Sequence, residues 1–275
     1  MLRLPTTALI LVVALAVLST SPVCAADKTI TDPAQSGPDF QVQGEYVGES
    51  QDPTLSGKLG AQVLAMGDGK FQLIVYHGGL PGNGWKRGDR TEKTKGQSKG
   101  GRTHFTVDGR SAILRNGTLT LKDADGKAQA ELQKKERKSR TLGAKPPEGA
   151  IVLFDGTTAE NFRHGKLVSE NLLLNDCESI QKFGDHTLHL EFRTPFKPTA
   201  RGQKRGNSGV YVQSRYEVQI LDTFALEGKD NECGGIYSIK APDVNMCYPP
   251  LAWQTYDIDF TAARYGTDEK NQTKH

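Results

Sequence analysis

The stretch Arg205-Gly-Asn-Ser-Gly-Val-Tyr-Val-Gln-Ser-Arg-Tyr-Glu-Val-Gln-Ile-Leu-Asp222 decides the fold. Val210 and Val212 alternate with Tyr211 and Gln213. Beyond Ser214 and Arg215, a second alternation sets Tyr216, Val218 and Ile220 against Glu217 and Gln219. Period two with β-branched and aromatic residues marks a strand, and successive side chains leave a strand on opposite faces. The stretch reads as a hairpin with one apolar face to bury. Its other face carries Tyr211, Gln213, Glu217 and Gln219, and is either solvated surface or the floor of a polar site.

The same pattern recurs on both sides. In 186–193, Leu188, Leu190 and Phe192 oppose His189, Glu191 and Arg193. In 253–260, Tyr256, Ile258 and Phe260 oppose Trp253, Thr255, Asp257 and Asp259. If these strands are neighbours in one sheet, about 4.8 Å apart, their polar side chains share a surface. Aromatic faces suit the C–H patches of a sugar, and amides and carboxylates suit its hydroxyls.

Further upstream, 40–47, 59–66, 71–77, 103–107, 112–115, 119–122 and 128–132 also alternate. Gly67-Asp-Gly69 and Asn116-Gly117 lie between them as turns. Asn-Gly is a strong hairpin signal because both turn residues take positive φ. These segments predict a small antiparallel barrel or sandwich of about seven strands over 40–133. Gly78-Gly-Leu-Pro-Gly-Asn-Gly-Trp85 lacks the Lys-Ser/Thr of a nucleotide loop and reads as a wide loop pinned by Trp85. The basic segment 86–102 reads as a mobile excursion. Residues 26–39 read as a tether, and the charged, Pro-containing run 134–149 as a linker to a second domain over 150–275.

The 275 residues carry a formal net charge of +3, which points to no nucleic-acid partner. Thirty Gly and thirteen Pro, with few long apolar runs, favour an all-β chain. Residues 1–25 read as a secretory signal peptide. Arg3 precedes an apolar run from Ala8 to Leu18, too short to span a bilayer comfortably, and Val23-Cys-Ala25 supplies a cleavage site. The expected location is secreted or periplasmic, with no membrane contact after cleavage. Cleavage leaves Cys177, Cys233 and Cys247, of which Cys233 and Cys247 are the expected disulfide pair.

Seven blocks carry a resemblance: Leu153-Phe-Asp-Gly156, Phe183-Gly-Asp185, Leu188-His-Leu-Glu-Phe192, Gly206-Asn-Ser-Gly-Val-Tyr211, Tyr216-Glu-Val-Gln-Ile-Leu-Asp222, Gly234-Gly-Ile-Tyr237 and Trp253-Gln-Thr-Tyr256. In this order they resemble the 3-keto-disaccharide hydrolase family over roughly residues 148–262. The resemblance implies a concanavalin A-like jelly-roll sandwich following the first β-domain. Members of that family continue past the Trp-Gln-Thr-Tyr strand with further strands and a Gln-Asp-His-Gly segment, so the domain reads as C-terminally incomplete.

The implied substrate is a small saccharide whose C3 hydroxyl is already oxidised. The ketone acidifies the proton on C2, a base removes it, the enolate expels the C1 leaving group, and water adds back. The resemblance points to Glu217 or His189 as base, and to Arg193 or a bound divalent cation for the enolate oxygen. Glu191 would orient His189 or ligate the metal, and Asp222 completes the catalytic candidates. Asn207, Tyr211, Gln213, Gln219, Trp253 and Gln254 would hold the sugar. No other cofactor is called for.

Two rival readings stand beside this one. Jelly-roll glucanases carry Glu-x-Asp-x-x-Glu on one strand, whereas the same spacing here is Glu217-x-Gln219-x-x-Asp222, which argues against retaining glycosidase chemistry. A non-catalytic, lectin-like carbohydrate-binding module would use Trp253, Tyr211 and the amides equally well.

Overall fold

The computed structural model describes residues 28–52, 57–107, 109–264, 266–267 and 273–274. The leader at 1–25 lies outside them. The chain is all-β, with one short α-helix, α1 (Gly37–Val42), among the described residues.

The alternating segments of the first half close into an eight-stranded antiparallel barrel. Its strands are β1 (Gly44–Ser50), β2 (Gly57–Gly67), β3 (Lys70–His77), β4 (Thr91–Lys99), β5 (Arg102–Val107), β6 (Arg110–Arg115), β7 (Thr118–Lys122) and β8 (Ala128–Lys135). Each pairs with the next, and β8 returns to β1. Closure leaves no barrel strand with an unpaired edge. Asn116 (φ 50°) and Gly117 (φ 78°) make the tight β6–β7 turn that their sequence predicts. Trp85 packs edge-on against Tyr76, 5.2 Å between ring centroids, and so pins the glycine-rich loop.

The segment read as a mobile excursion contains β4, which bridges β3 and β5 and completes the barrel. Its inward positions are Glu92, Thr94, Gly96 and Ser98, so the strand has no apolar alternation to detect. Gly96 is required there: a Cβ would stand 2.3 Å from the His104 carbonyl oxygen and from the Phe105 ring.

The segment read as a tether is anchored as well. Ile30 bridges to Phe196, and Phe40 of α1 meets Phe196 edge-on at 5.3 Å. Together with Leu251 these residues join the inward-facing Tyr46, Val63, Phe71, Leu119 and Leu132 in one buried cluster that closes one end of the barrel. The linker is docked too. Arg137 pairs with the buried Glu45 at 2.6 Å, donates to the Pro81 carbonyl, and lies over the Tyr248 ring.

Two of the two-stranded antiparallel sheets in the second half are longer than a residue pair or two. One pairs β9 (His186–Arg193) with β12 (Trp253–Phe260), and the other pairs β10 (Ser208–Val212) with β11 (Tyr216–Ile220). Their apolar faces meet in a cluster of Phe192, Ile220, Cys233 and Cys247, flanked by Leu190, Val210 and Tyr256. This half also packs on the outside of β2 and β3, where Phe224 and Ala225 bury Leu64, Ile74 and Tyr76. Phe224 is fully buried, which is worth about 1.5–3 kcal/mol in apolar transfer.

Candidate functional site

The antiparallel register of β9 and β12 sets His189 opposite Asp257, Glu191 opposite Thr255, and Arg193 opposite Trp253. All six side chains leave the outer face, because Leu190, Phe192 and Tyr256 occupy the inner one. The His189 ring stands between two carboxylates. Its Nδ1 lies 2.7 Å from Asp257 Oδ1, and its Nε2 lies 3.4 Å from Glu191 Oε1. The nearer carboxylate, at Nδ1, favours the tautomer with the proton there, which puts the lone pair of the neutral ring on Nε2, beside Glu191.

The hydrogen bond to Asp257 raises the His189 pKa above its ordinary value. Partial desolvation opposes this, and Glu191 adds to the rise. Asp257 is lowered in turn, by His189 first and then by Thr141. The Arg193 guanidinium lies over the Trp253 ring at 5.5 Å.

The linker crosses this face. Ser139 and Thr141 hydroxyls sit 2.5 and 3.0 Å from Thr255 Oγ1, Thr141 donates to Asp257 Oδ2 at 2.7 Å, and the Gly143 amide donates to Glu191 Oε1 at 2.5 Å. The sequence reading puts Asp257 on the polar face without a role, and gives Ser139, Thr141 and Gly143 none. Register opposite His189 is the signal that singles out Asp257. The linker's contacts have no signal in the sequence, because they form across more than 40 residues.

The other expected site residues lie elsewhere. Of the polar strands, β9 and β12 are neighbours, but the β10–β11 hairpin forms a separate sheet, and with the apolar faces of the two sheets packed together, their polar faces point apart. Glu217 accepts from the Tyr211 hydroxyl at 2.8 Å on the outer face of β10–β11, away from His189. Gln213 is a turn residue (φ 52°) beyond the end of β10. Gln219 is fully buried, with its Nε2 donating to Gln203 at 2.9 Å and to exposed Asn207 at 3.2 Å. Gln254 points to the inner side of β12, where its Oε1 accepts from the Tyr248 amide.

Asp222 is wholly buried. It pairs with Arg205 at 2.5 Å and accepts from the Phe224 amide. Burial pushes its carboxyl up to about 6 against the pull of Arg205, and the same burial puts Asp222 out of a substrate's reach. Cys233 and Cys247 are free thiols in the buried cluster instead of a disulfide. The two thiols are hydrogen-bonded to each other, and they also meet the Tyr256 hydroxyl at 3.2 Å for Cys233 and the carbonyls of Leu221 and Tyr248 for Cys247. Among the described residues, no group of three or more His, Cys, Asp or Glu side chains is arranged to hold a metal ion.

An imidazole between carboxylates, beside a cation and an aromatic ring on one β-sheet face, is an arrangement able to move a proton. Residues 149–268 match the profile of the 3-keto-alpha-glucoside-1,2-lyase-like domain. The match includes β9 to β12 and leaves the barrel outside it. No curated protein and no solved structure matches the chain.

Proposed function

We propose that the chain cleaves the glycosidic bond of 3-keto-glycosides by elimination and hydration, with His189 as the proton-transfer group. The observation that carries this reading is the clamping of His189 by Asp257 and Glu191 on a half-exposed face that also presents Arg193 and Trp253. Neutral His189 takes the C2 proton at Nε2, and the C1–O bond breaks as the enolate collapses. The imidazolium, held by the two carboxylates, returns the proton to the leaving oxygen. Water then adds at C1 and a proton at C2, so the net reaction is hydrolysis. Arg193 faces the enolate oxygen, the position where stabilising charge counts most. Trp253 covers a C–H face of the sugar. Glu217, on the opposite face, has no part in this scheme.

Reaction in deuterated water tests the pathway. Elimination and hydration place deuterium on C2 of the released 3-keto sugar. Product with its original C2 hydrogen, from a reaction that still cleaves, would exclude elimination and favour direct displacement at C1.

A further inference from the structure

We propose that the barrel is a second binding site, for a small apolar molecule carrying one carboxylate. It is independent of the sugar-cleaving reading.

The barrel is filled at one end only. Where α1 and Phe196 pack, Tyr46, Phe71, Leu119 and Leu132 occupy the interior, and the Tyr46 hydroxyl donates to the Val42 carbonyl at 2.6 Å. Toward the opposite end the interior holds a cavity of about 200 Å³, walled by Leu59, Leu73, Val75, Phe105, Ala112 and Leu121. From the inward positions of β4, the short Thr94 and the Glu92 carboxylate line this space, with no large apolar side chain to fill it. An apolar cavity of about 150 Å³ is enough to hold benzene, and a barrel of eight strands has room for one small ligand. The size therefore fits a single ring or a short branched chain.

The mouth is charged. Glu92, inward-facing opposite Val75, receives Arg90 at 2.7 Å, Arg110 at 2.9 Å and His77 at 3.2 Å. The inward cations at this mouth are thus Arg90 and Arg110, beside the carboxylates Asp52, Glu92 and Asp123. Glu92 is already committed to its three partners, and Asp123 to the amides of Asp125 and Lys127 and to Gln129. Glu92 contacts one Nη of each arginine, and a guanidinium carries five donors in a fork that matches a carboxylate. An apolar body inside with an anionic head at Arg90 and Arg110 satisfies both halves of the site.

Benzoate is the probe, titrated calorimetrically into the full chain beside benzyl alcohol and acetate. Saturable binding of one benzoate per chain is expected, with benzyl alcohol about tenfold weaker for want of charge-assisted hydrogen bonds, and no binding of acetate. Arg110→Gln should weaken benzoate about tenfold and leave the melting temperature within a few degrees. Ala112→Leu should fill the cavity and abolish binding. If that variant does not fold, Arg110→Gln decides alone. Absence of benzoate binding to the wild-type chain would overturn the proposal, as would benzyl alcohol binding equally well, or benzoate binding unchanged in Arg110→Gln.

Discussion

Asp257 raises the His189 pKa by hydrogen-bonding its imidazolium, and that fixes the pH at which His189 can serve as a base. Only the neutral ring takes a proton. Thus kcat/KM should climb as pH rises through the His189 pKa, with an acid limb above the ordinary histidine value. Asp257→Asn removes the largest cause of the rise, so the limb should move to lower pH. A limb unmoved in that variant would detach His189 from the rate. His189→Gln should cost about 10²–10⁴-fold in kcat, the usual worth of a positioned acid–base group, in assays of keto-sugar cleavage. Glu217→Gln should leave turnover near wild type, since Glu217 sits on the other outer face with Tyr211. Asp222→Asn should act on stability instead. It leaves Arg205, 3% exposed, facing a neutral amide, at a cost of about 3–5 kcal/mol in urea unfolding.

At the scale of elements, the barrel was legible where apolar residues alternate and illegible where they do not. Strands β2, β3 and β5 to β7 follow period two and were readable. β4 alternates lysines with Glu92, Thr94, Gly96 and Ser98, a pattern that composition cannot tell from a solvated loop. Its identity as a strand comes from its neighbours, which need a partner on both sides to close the barrel. Gly96→Val should therefore be costly: the new side chain meets the His104 carbonyl and the Phe105 ring. Overpacking of this kind costs about 1–3 kcal/mol or more, measurable as a lower denaturant midpoint. A midpoint equal to wild type would mean that β4 does not close the barrel. The face of each polar strand was equally legible, and His189, Glu191, Arg193 and Trp253 do come together. What periodicity could not supply was which strands are neighbours. Glu217 and Gln219 share a surface with His189 only if their strands share a sheet, and the two sheets instead pack back to back.

At the scale of the whole molecule, the linker and the two halves share buried contacts. Phe196 and Leu251 from the second half belong to the cluster that closes the barrel, Phe224 covers the outside of β2 and β3, and Arg137 locks the linker to Glu45. Contacts of this kind make the halves unfold together. Calorimetry should show one transition for the described fold, and Phe196→Ala, costing about 3–5 kcal/mol, should lower that single transition. Two separated transitions, with only one shifted by the substitution, would show that the barrel and the family domain are energetically independent.

The central claim is that the substrate's own ketone activates the bond to be cleaved. Product release from a 3-keto-disaccharide, measured beside its unoxidised parent with the same protein, tests it most directly. Cleavage of the keto sugar alone, lost in His189→Gln, is the result this account predicts. Cleavage of the parent at a comparable rate, or keto-sugar cleavage that survives His189→Gln undiminished, would contradict it.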